Sequence, residues 1–330
     1  MDINTLIEVA LITVKVILVS SILFALPIPL TWIERKVAGH IQLRLGPFRV
    51  GWHGILQPIA DMIKLMFKED IIPDKADKWL FKLAPIISLV PIFLTFATVP
   101  VGDKITVLGR EITLYISDMN VGILYILAVA GIGVYGLIFG GWASNSKYAL
   151  LGSMRSSAQM ISYELALSFA AIGVVMVSNS LSLVDIVNSQ KVSTWNICYQ
   201  PLGFIIFIIA GLAEINRIPF DLSEDEGTLA AGYHVEYSSM RFSFFMLAEY
   251  VAMVLMSVLA VILFFGGWSG HAILPPIVWF LIKVSAFIYF FMWVRFTFPR
   301  YRYDQLMTIG WKILLPLSLV NILITGLFVI

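Results

Sequence analysis

Long apolar runs recur along the whole chain, and they constrain its fold more than any other feature of the sequence. Wound as a helix, about 20 apolar residues cross the roughly 30 Å of hydrocarbon in a membrane. Runs suited to that role occupy residues 6–30, 82–101, 121–141, 158–179, 202–218, 242–265, 274–296 and 310–330. The sequence therefore predicts an all-α polytopic membrane protein, a bundle of about eight transmembrane helices. Because no repeat or low-complexity linker interrupts the sequence, we expect one membrane domain over residues 1–330.

The composition supports this class and excludes several others. Hydrophobic residues make up 59% of the 330 residues and charged residues only 13%, well below the charged share of soluble domains. The net charge of +1 argues against nucleic-acid binding, which needs a basic surface. The single cysteine, Cys198, excludes an internal disulfide and a cysteine-ligated cluster held by this chain alone. The histidines lie in or beside polar connections without zinc-ligand spacing, so we expect no metal on this chain.

The cations are distributed unevenly between the two sides of the predicted bundle. Those between the first and second runs are Arg35, Lys36, Arg44, Arg49, Lys64, Lys68, Lys75 and Lys78. The opposite side offers only Lys104, Arg110 and Lys191. Loops rich in lysine and arginine stay in the cytoplasm, so the odd-to-even loops are predicted to be cytoplasmic and both termini external. We expect no cleaved signal peptide, because the first run is too long and no basic segment precedes it.

Two connections are expected to have structure of their own. Residues 104–116 alternate apolar and polar side chains around Gly109-Arg110, which suits a small external β-hairpin with a type II′ turn. Residues 54–68 place most of their apolar side chains on one face of a helix that is too short and too charged to cross the membrane. This second segment is predicted to lie in the membrane interface as an amphipathic helix.

Carboxylates lie within or beside several apolar runs, where inserting each charge costs about 2.5–3.5 kcal/mol. Glu164 and Glu249 have no cation within one helical turn, which favours a proton relay over a structural ion pair. Glu214 has Arg217 three residues later, so a relay and a local ion pair are equally open for it. Lys283 could pair with an acid or extend toward the interface, and Lys15 is expected to extend toward the interface.

Several motifs follow one another in the order found in a known family. They are Glu34-Arg35-Lys36, Gln42-Leu-Arg44-Leu-Gly46-Pro47, Gly51-Trp-His-Gly54, Lys147-Tyr-Ala-Leu-Leu-Gly152, Ser162-Tyr-Glu164, Ala213-Glu214-Ile-Asn216-Arg217-Ile-Pro-Phe-Asp221, Gly232-Tyr-His-Val-Glu236-Tyr237, Ala248-Glu249-Tyr250 and Pro299-Arg300-Tyr-Arg302-Tyr-Asp304-Gln305. Over nearly its whole length the chain resembles the H subunit of bacterial NADH:quinone oxidoreductase, respiratory complex I, the counterpart of mitochondrial NADH dehydrogenase subunit 1. Two positions depart from the family pattern: Phe48 stands where asparagine is usual, and Thr228 where relatives commonly have an acid.

The resemblance implies that the chain walls a quinone tunnel and couples quinone reduction to proton pumping. The implied quinone-binding positions are Glu34, Arg35, Lys36, Arg44, Asp61, Lys64, Phe67 and Phe220. The implied proton-path positions are Glu164, Glu214, Asp221, Glu224, Glu226, Glu236 and Glu249. On charge pattern alone, the simpler interpretation of the first loop is an amphipathic segment whose cations rest on phospholipid headgroups.

The resemblance also implies partners and a location. The chain would be a subunit of a translocase without activity of its own, because FMN and the iron–sulfur clusters are expected on partner subunits. Arg300, Arg302 and Asp304 suit docking of a peripheral-arm protein, with headgroup binding as the alternative. Membrane-arm subunits and lipids are expected on the lateral faces. The expected location is the bacterial inner (plasma) membrane, with an organellar inner membrane as the alternative.

Two other functions remain open at this level. The membrane subunit of an energy-converting hydrogenase resembles this family but serves no quinone, and the extended stretch from Gly46 to Gly54 favours the quinone branch. A stand-alone secondary proton or cation transporter would show paired repeats and broken spans in two halves. The sequence shows neither of these transporter features.

Overall fold

The computed structural model describes residues 3–107, 110–192, 194–221, 232–270 and 273–329. At the start, α1 (Ile3–Ala25) and α2 (Pro27–Ile41) form an almost continuous rod, because the Leu30 N–H still donates to the Leu26 carbonyl (3.3 Å). The later helices are α3 (Gln57–Phe67), α4 (Lys78–Thr95), α5 (Gly122–Ala143), α6 (Lys147–Ser178), α7 (Leu183–Val192), α8 (Asn196–Tyr199), α9 (Pro201–Glu214), α10 (Ser239–Phe264), α11 (Pro276–Thr297), α12 (Tyr303–Thr308) and α13 (Leu315–Val329).

In the described part of the chain, seven helical segments are long and apolar enough to cross a membrane, which supports the predicted membrane class. They are Ile7–Ile41, Lys78–Thr95, Gly122–Ala143, Lys147–Ser178, Ser239–Phe264, Pro276–Thr297 and Tyr303–Phe328. The predicted count of eight is not supported, because the run at 202–218 forms only the 14 residues of α9. At 1.5 Å per residue α9 is about 21 Å long, which is shorter than the hydrocarbon layer.

α10 is the central helix of the bundle. Of its most apolar stretch, 83% is buried inside protein, against 28% for α11. On one side α10 packs against α4, which in turn packs against α5, while α6 packs against α5, α9 and α13. The contact between α4 and α5 is so close that a Cβ on Gly136 would lie 2.5 Å from the backbone nitrogen of Ser88. A helix surrounded by others on most sides can carry side chains that face different internal spaces.

A short antiparallel ribbon follows α4. Strands β1 (Lys104–Val107) and β2 (Arg110–Thr113) pair so that Val107 lies opposite Arg110, which makes Arg110 a strand residue and not the predicted turn residue. The turn itself falls outside the described residues, and the external position of the ribbon stays a prediction. Lys15 of α1 donates from Nζ to Thr113 Oγ1 (2.9 Å) and to the Tyr115 carbonyl (3.2 Å). The ammonium of Lys15 therefore ties α1 to the ribbon region, and its expected extension toward the interface stays a prediction.

The C-terminal rod contains a π-helical segment, Ile309–Leu314, between α12 and α13. Within it, Gly310 lies against the ring of Tyr163, whose hydroxyl donates to the Leu306 carbonyl (2.9 Å). After it, α13 presents a buried polar row to α6 and α9, formed by Ser318, Asn321 and Thr325. The π segment thus belongs to the part of the C-terminal helices that contacts Tyr163, and the polar row of α13 follows it.

Lys283 of α11 donates from Nζ to three backbone carbonyls beyond the end of α10. The acceptors are Phe265 (2.7 Å), Gly267 (3.2 Å) and Ser269 (2.6 Å). An ammonium group at the carbonyl end of a helix satisfies unpaired acceptors and complements the helix dipole. Among the described residues the ammonium of Lys283 therefore binds carbonyls and forms no ion pair with an acid, while its extension toward the interface stays a prediction.

Candidate functional site

An apolar groove of about 370 Å³ lies between α2, α3 and the first half of α10. Its walls are mostly apolar, and its few polar groups include Arg35, Asp61 and Tyr250. The apolar members are Phe24, Pro27, Ile28, Pro58, Met62, Leu65, Met240, Phe242, Phe244, Met246 and Leu247. An apolar channel with a small number of placed polar groups is the usual construction of a small-molecule pocket.

The outer polar edge of the groove is an ion pair. Arg35 Nη1 donates to Asp61 Oδ2 (2.5 Å), and Gln57 Nε2 donates to Asp61 Oδ1 (3.0 Å). Burial opposes ionisation of this carboxyl, but the hydrogen bonds from Arg35 and Gln57 outweigh it and hold the pKa of Asp61 below its usual value. Asp61 is therefore charged at neutral pH and fixes the guanidinium of Arg35 at the mouth of the groove.

Behind the groove, one buried carboxylate holds two arginines. Glu34 of α2 accepts from Arg217 (3.0 Å), from the Tyr250 hydroxyl (2.5 Å) and from Arg295 of α11. The guanidinium of Arg217 also lies 4.4 Å above the centroid of the Tyr250 ring. Because the side chains of Glu34 and Arg217 are almost fully buried, this cluster is held by charge compensation within the protein.

A second, smaller cavity of about 50 Å³ lies deeper in the bundle. Its lining includes Glu214, Asn216, Tyr233, Glu249 and Met160, together with apolar residues of α4, α5 and α10. A cavity of this volume with several polar groups is large enough for water. This acidic chamber brings together Glu214 and Glu249, two of the acids that the sequence assigned to a proton path.

The acids near the chamber differ in their partners. The Tyr233 hydroxyl donates to Glu249 Oε1 (3.2 Å), and His234 Nε2 lies 3.6 Å from the same oxygen. Among the described residues, buried Glu214 Oε2 has no hydrogen-bond partner. Glu164 of α6 lies close enough to Glu214 for the two carboxylates to repel each other when both are charged. Neighbouring carboxylates that repel each other when both are charged can share a proton.

The turn after α9 separates Glu214 from Arg217. Asn216 adopts a left-handed φ of 54°, and its side-chain oxygen accepts from Gln159 (3.2 Å) and from Ser156 (3.3 Å) of α6. This turn directs Arg217 away from α9 and toward Glu34. The local pair between Glu214 and Arg217, one of the two open alternatives, is therefore not formed.

Four of the predicted quinone-site residues lie apart from the groove. Lys36 Nζ lies 5.8 Å from the ring centroids of both Trp32 and Phe48. Arg44 donates from Nε to Gln42 (2.7 Å), while Lys64 and Phe67 are exposed on α3. The described lining of the groove includes none of the four. Their assignment to quinone binding stays a prediction, and the exposure of Arg44, Lys64 and Phe67 makes these three available to a partner.

Phe220 and Asp221 follow Arg217 closely in the chain, and the Phe220 N–H donates to the Arg217 carbonyl (2.8 Å). Phe220 is buried and stacks on Tyr301 with centroids 5.8 Å apart. Asp221 is also buried, and Arg300 Nη2 lies 3.5 Å from its Oδ2. Arg300 therefore holds an internal acid, which leaves its predicted role in partner docking untested.

The remaining predicted residues are more exposed or lie outside the described chain. Arg302 and Asp304 are exposed at the start of α12 and suit a partner interface. Glu236 is half-buried near the chamber wall residue Tyr233. Glu224 and Glu226 fall outside the described residues, so their proposed place in the proton path stays a prediction.

Sequence reasoning missed several residues that build the site. Arg295 was overlooked because it lies at the end of an apolar run, although a lone cation there is itself a signal of internal charge pairing. Tyr250 and Tyr233 gave no signal beyond their presence in motifs, because a hydroxyl donor is recognised only once its acceptor is known. Asn216 carried a weak signal, since asparagine tolerates the left-handed conformation better than most residues.

The family of the chain follows from its match to known proteins. The sequence profile of the family described as NADH dehydrogenase matches residues 13–326. The chain belongs to this family. It is 64% identical over 322 residues to the NADH-quinone oxidoreductase H 2 subunit of Rhizobium meliloti (strain 1021), covering 97% of this chain and 98% of that protein.

More distant members of the NADH dehydrogenase family match over similar lengths. The NADH-quinone oxidoreductase H 1 subunit of Geobacter sulfurreducens is 56% identical over 310 residues, which cover 91% of this chain and 89% of that protein. The NADH-quinone oxidoreductase H subunit of Syntrophotalea carbinolica is 50% identical over 327 residues, which cover 99% of this chain and 98% of that protein. The family resemblance inferred from the motifs is confirmed.

Proposed function

We propose that this chain is the membrane subunit of a proton-pumping NADH:quinone oxidoreductase that holds the quinone and couples its reduction to proton translocation. The observation that carries the proposal is the position of two consecutive residues of α10. Tyr250 lines the apolar groove, and Glu249 lines the acidic chamber. One helix thus separates a space suited to an apolar ligand from a space suited to protons.

The groove is proposed as part of the quinone path. Its apolar walls suit an isoprenoid tail, and the Arg35–Asp61 pair and Tyr250 supply polar groups for a head group. Tyr250 donates its hydrogen to Glu34, so a change of charge near this hydroxyl acts on the cluster of Glu34, Arg217 and Arg295. That cluster is the physical link between the groove and the interior.

The chamber is proposed as the start of the proton path. Glu214 and Glu249 line it, Glu164 lies close by, and Tyr233 and His234 contact Glu249. Electrons from the donor would arrive through FMN and iron–sulfur clusters on partner subunits. The chain would lie in a bacterial inner membrane, with the first loop in the cytoplasm and the N-terminus outside, in contact with lipids, membrane-arm subunits and a peripheral arm.

The proposal is tested by two variants of adjacent residues in the assembled complex. Tyr250→Phe removes the hydroxyl at the groove, and Glu249→Gln removes the titratable group at the chamber. We expect Tyr250→Phe to raise the apparent KM for short-tailed quinones while electron transfer to an artificial acceptor is unchanged. We expect Glu249→Gln to lower the ratio of protons pumped to electrons transferred in sealed vesicles, because glutamine cannot titrate.

Glu111→Gln, at an exposed acid of β2, is the matched control and should change neither measurement. If quinone kinetics and pumping stay native in both α10 variants, with assembly verified, the proposed division between groove and chamber is wrong. Equal loss of quinone reduction and artificial-acceptor activity in an assembled Tyr250→Phe complex would also contradict it, because a residue that acts only at the groove leaves electron transfer to the artificial acceptor intact.

A further inference from the structure

The helices α5 and α6 form a hairpin, and glycines of α5 let the two helices approach closely. Near the loop that joins them, a Cβ on Gly141 would lie 2.2 Å from Ser153 Oγ and 2.6 Å from the Ala149 carbonyl oxygen. Farther from that loop, a Cβ on Gly131 would lie 2.5 Å from Oε1 of Glu164. The carboxylate of Glu164 therefore occupies the space that a side chain at position 131 would fill. We call this space the glycine notch.

The glycine notch differs from the other close approaches of α5. At Gly136 and Gly141 the nearest atoms include backbone atoms of α4 and of α6, so these glycines set the distance between helices. At Gly131 the three nearest atoms all belong to the carboxyl group of Glu164. The end of a glutamate side chain can move by rotation about its χ angles, whereas a packed helix backbone cannot. The notch therefore holds a side chain in place and does not set the distance between two helices.

The glycine notch lies next to the acidic chamber. Ala130, the neighbour of Gly131 in α5, lines the chamber, and so does Met160, one helical turn before Glu164 in α6. Side chains four residues apart lie on the same face of a helix, so Glu164 is on the face of α6 that meets the chamber. There it is close enough to Glu214 for the two carboxylates to repel each other when both are charged.

Little else fixes the position of the Glu164 carboxylate. Among the residues that the structure describes, no side chain donates a hydrogen bond to it and no cation pairs with it. A glutamate without such partners can adopt several rotamers. A proton passes only between groups within hydrogen-bond distance of each other or joined by one water. Contact with α5 at Gly131 is thus the feature that restricts the carboxylate to one position beside Glu214.

We propose that Gly131 is a positioning residue for proton transfer, which holds the Glu164 carboxylate in the glycine notch at a distance that lets a proton pass between Glu164 and Glu214. The transfer breaks the O–H bond of one carboxylic acid and forms the O–H bond of the other, directly or through one water in the chamber. The pair keeps a single negative charge throughout. This inference rests on the proposed proton function of the chamber.

The test is Gly131→Ala in the assembled complex, reconstituted in sealed vesicles. The added methyl group requires Glu164 Oε1 to move from 2.5 Å to a normal contact distance, a displacement of about 1 Å. A misplacement of that size can slow a reaction step by about 100-fold, so we expect the rate of quinone-linked proton pumping to fall about tenfold or more. Electron transfer to an artificial acceptor should be unchanged. The thermal midpoint should not fall, because only the end of a side chain moves and alanine favours helix over glycine.

Gly122→Ala is the matched control, because Gly122 also belongs to α5 and a Cβ there would meet Leu183 Cγ at an ordinary 3.6 Å. It should change neither pumping nor the thermal midpoint. Glu164→Asp shortens the acid by one methylene group and withdraws its carboxylate from the notch. Adding Gly131→Ala to Glu164→Asp should therefore cause no further loss of pumping, whereas a packing defect would add in full.

The comparison with Glu164→Gln separates failure of this inference from failure of the proposed function. Native pumping in Gly131→Ala, together with slow pumping in Glu164→Gln, would overturn the positioning role and leave the proposed proton path intact. Native pumping in Glu164→Gln would remove Glu164 from the proton path and overturn both. A lower thermal midpoint in Gly131→Ala, with a further loss of pumping in the Glu164→Asp background, would show that Gly131 acts through packing and would also overturn the inference.

Discussion

At the scale of single residues, the most unusual feature is a carboxylate that compensates two arginines. Glu34 accepts hydrogen bonds from Arg217, Arg295 and Tyr250 in a buried setting. Arg217 and Glu34 are far apart in sequence, and their pairing depends on the turn at Asn216. This is why the sequence offered the nearer Glu214 as one possible partner of Arg217 and gave no sign of Glu34: spacing along one helix is visible in a sequence, whereas a contact between helices is not.

Removing the charge of Glu34 should therefore destabilise the protein strongly. Glu34→Gln leaves two guanidinium groups uncompensated, and breaking a buried ion pair costs about 3–5 kcal/mol. Asp61→Asn removes a carboxylate from the partly exposed pair with Arg35, where the cost is about 1 kcal/mol or less. The yield and thermal midpoint of the assembled complex measure the difference. Equal behaviour of the two variants would show that the Glu34 cluster is not held by buried charge.

The pair of Arg35 and Asp61 should be insensitive to pH near neutrality. Because the pKa of Asp61 is lowered in the folded protein, its stabilising contribution is present above the unfolded pKa and is lost as the pH falls through the folded one. Between about pH 6 and 8 Asp61 stays ionised, since even an unperturbed aspartate titrates near 3.9. Quinone-reductase rates of native and Asp61→Asn complexes should therefore keep a constant ratio over this range. A ratio that approaches one toward pH 6 would contradict the assignment.

At the scale of elements, three of the predicted spans match helices of the structure closely. The runs at 121–141, 242–265 and 274–296 correspond closely to α5, α10 and α11. The span predicted at 202–218 is not supported, because a hydropathy pattern does not show where the backbone changes direction. Its helix ends at Glu214, and the chain then turns at Asn216 while remaining apolar around Ile215 and Ile218.

The contact between α4 and α5 gives a prediction at this scale. Gly133 and Gly136 lie in the same helix, but a Cβ on Gly136 would come within 2.5 Å of the Ser88 nitrogen, whereas one on Gly133 would meet only the Ser88 carbonyl oxygen at 3.7 Å. Gly133→Ala should be neutral or stabilising, because alanine favours helix by about 1 kcal/mol over glycine. Gly136→Ala should lower the thermal midpoint of the assembled complex, because it forces the two backbones apart. The same midpoint for both variants would show that the helices are not held at this distance.

At the scale of the whole molecule, different groups of residues lie at the two ends of α10. The groove and the charged first loop lie at one end, and the carbonyls bound by Lys283 and the ribbon lie at the other. The uneven distribution of cations predicts that the first loop is cytoplasmic. An accessible tag at Gly54 should therefore be labelled from the cytoplasmic side and a tag at Gly109 from the outside. Labelling of both tags from one side would refute the proposed orientation.

The π segment Ile309–Leu314 limits how the length of the chain can vary. A π turn closes hydrogen bonds from i to i+5 and so contains one residue more than an α turn. Deleting one residue inside Ile309–Leu314 would give a regular α-helix whose later residues keep their present faces. Deleting one residue within α13 would instead rotate every later side chain by about 100° and turn Thr325 away from Gln200, which now donates to it (3.0 Å). The π segment therefore contains one residue that register does not require, and shortening the chain by a single codon should be tolerated there but not in α13 before Thr325.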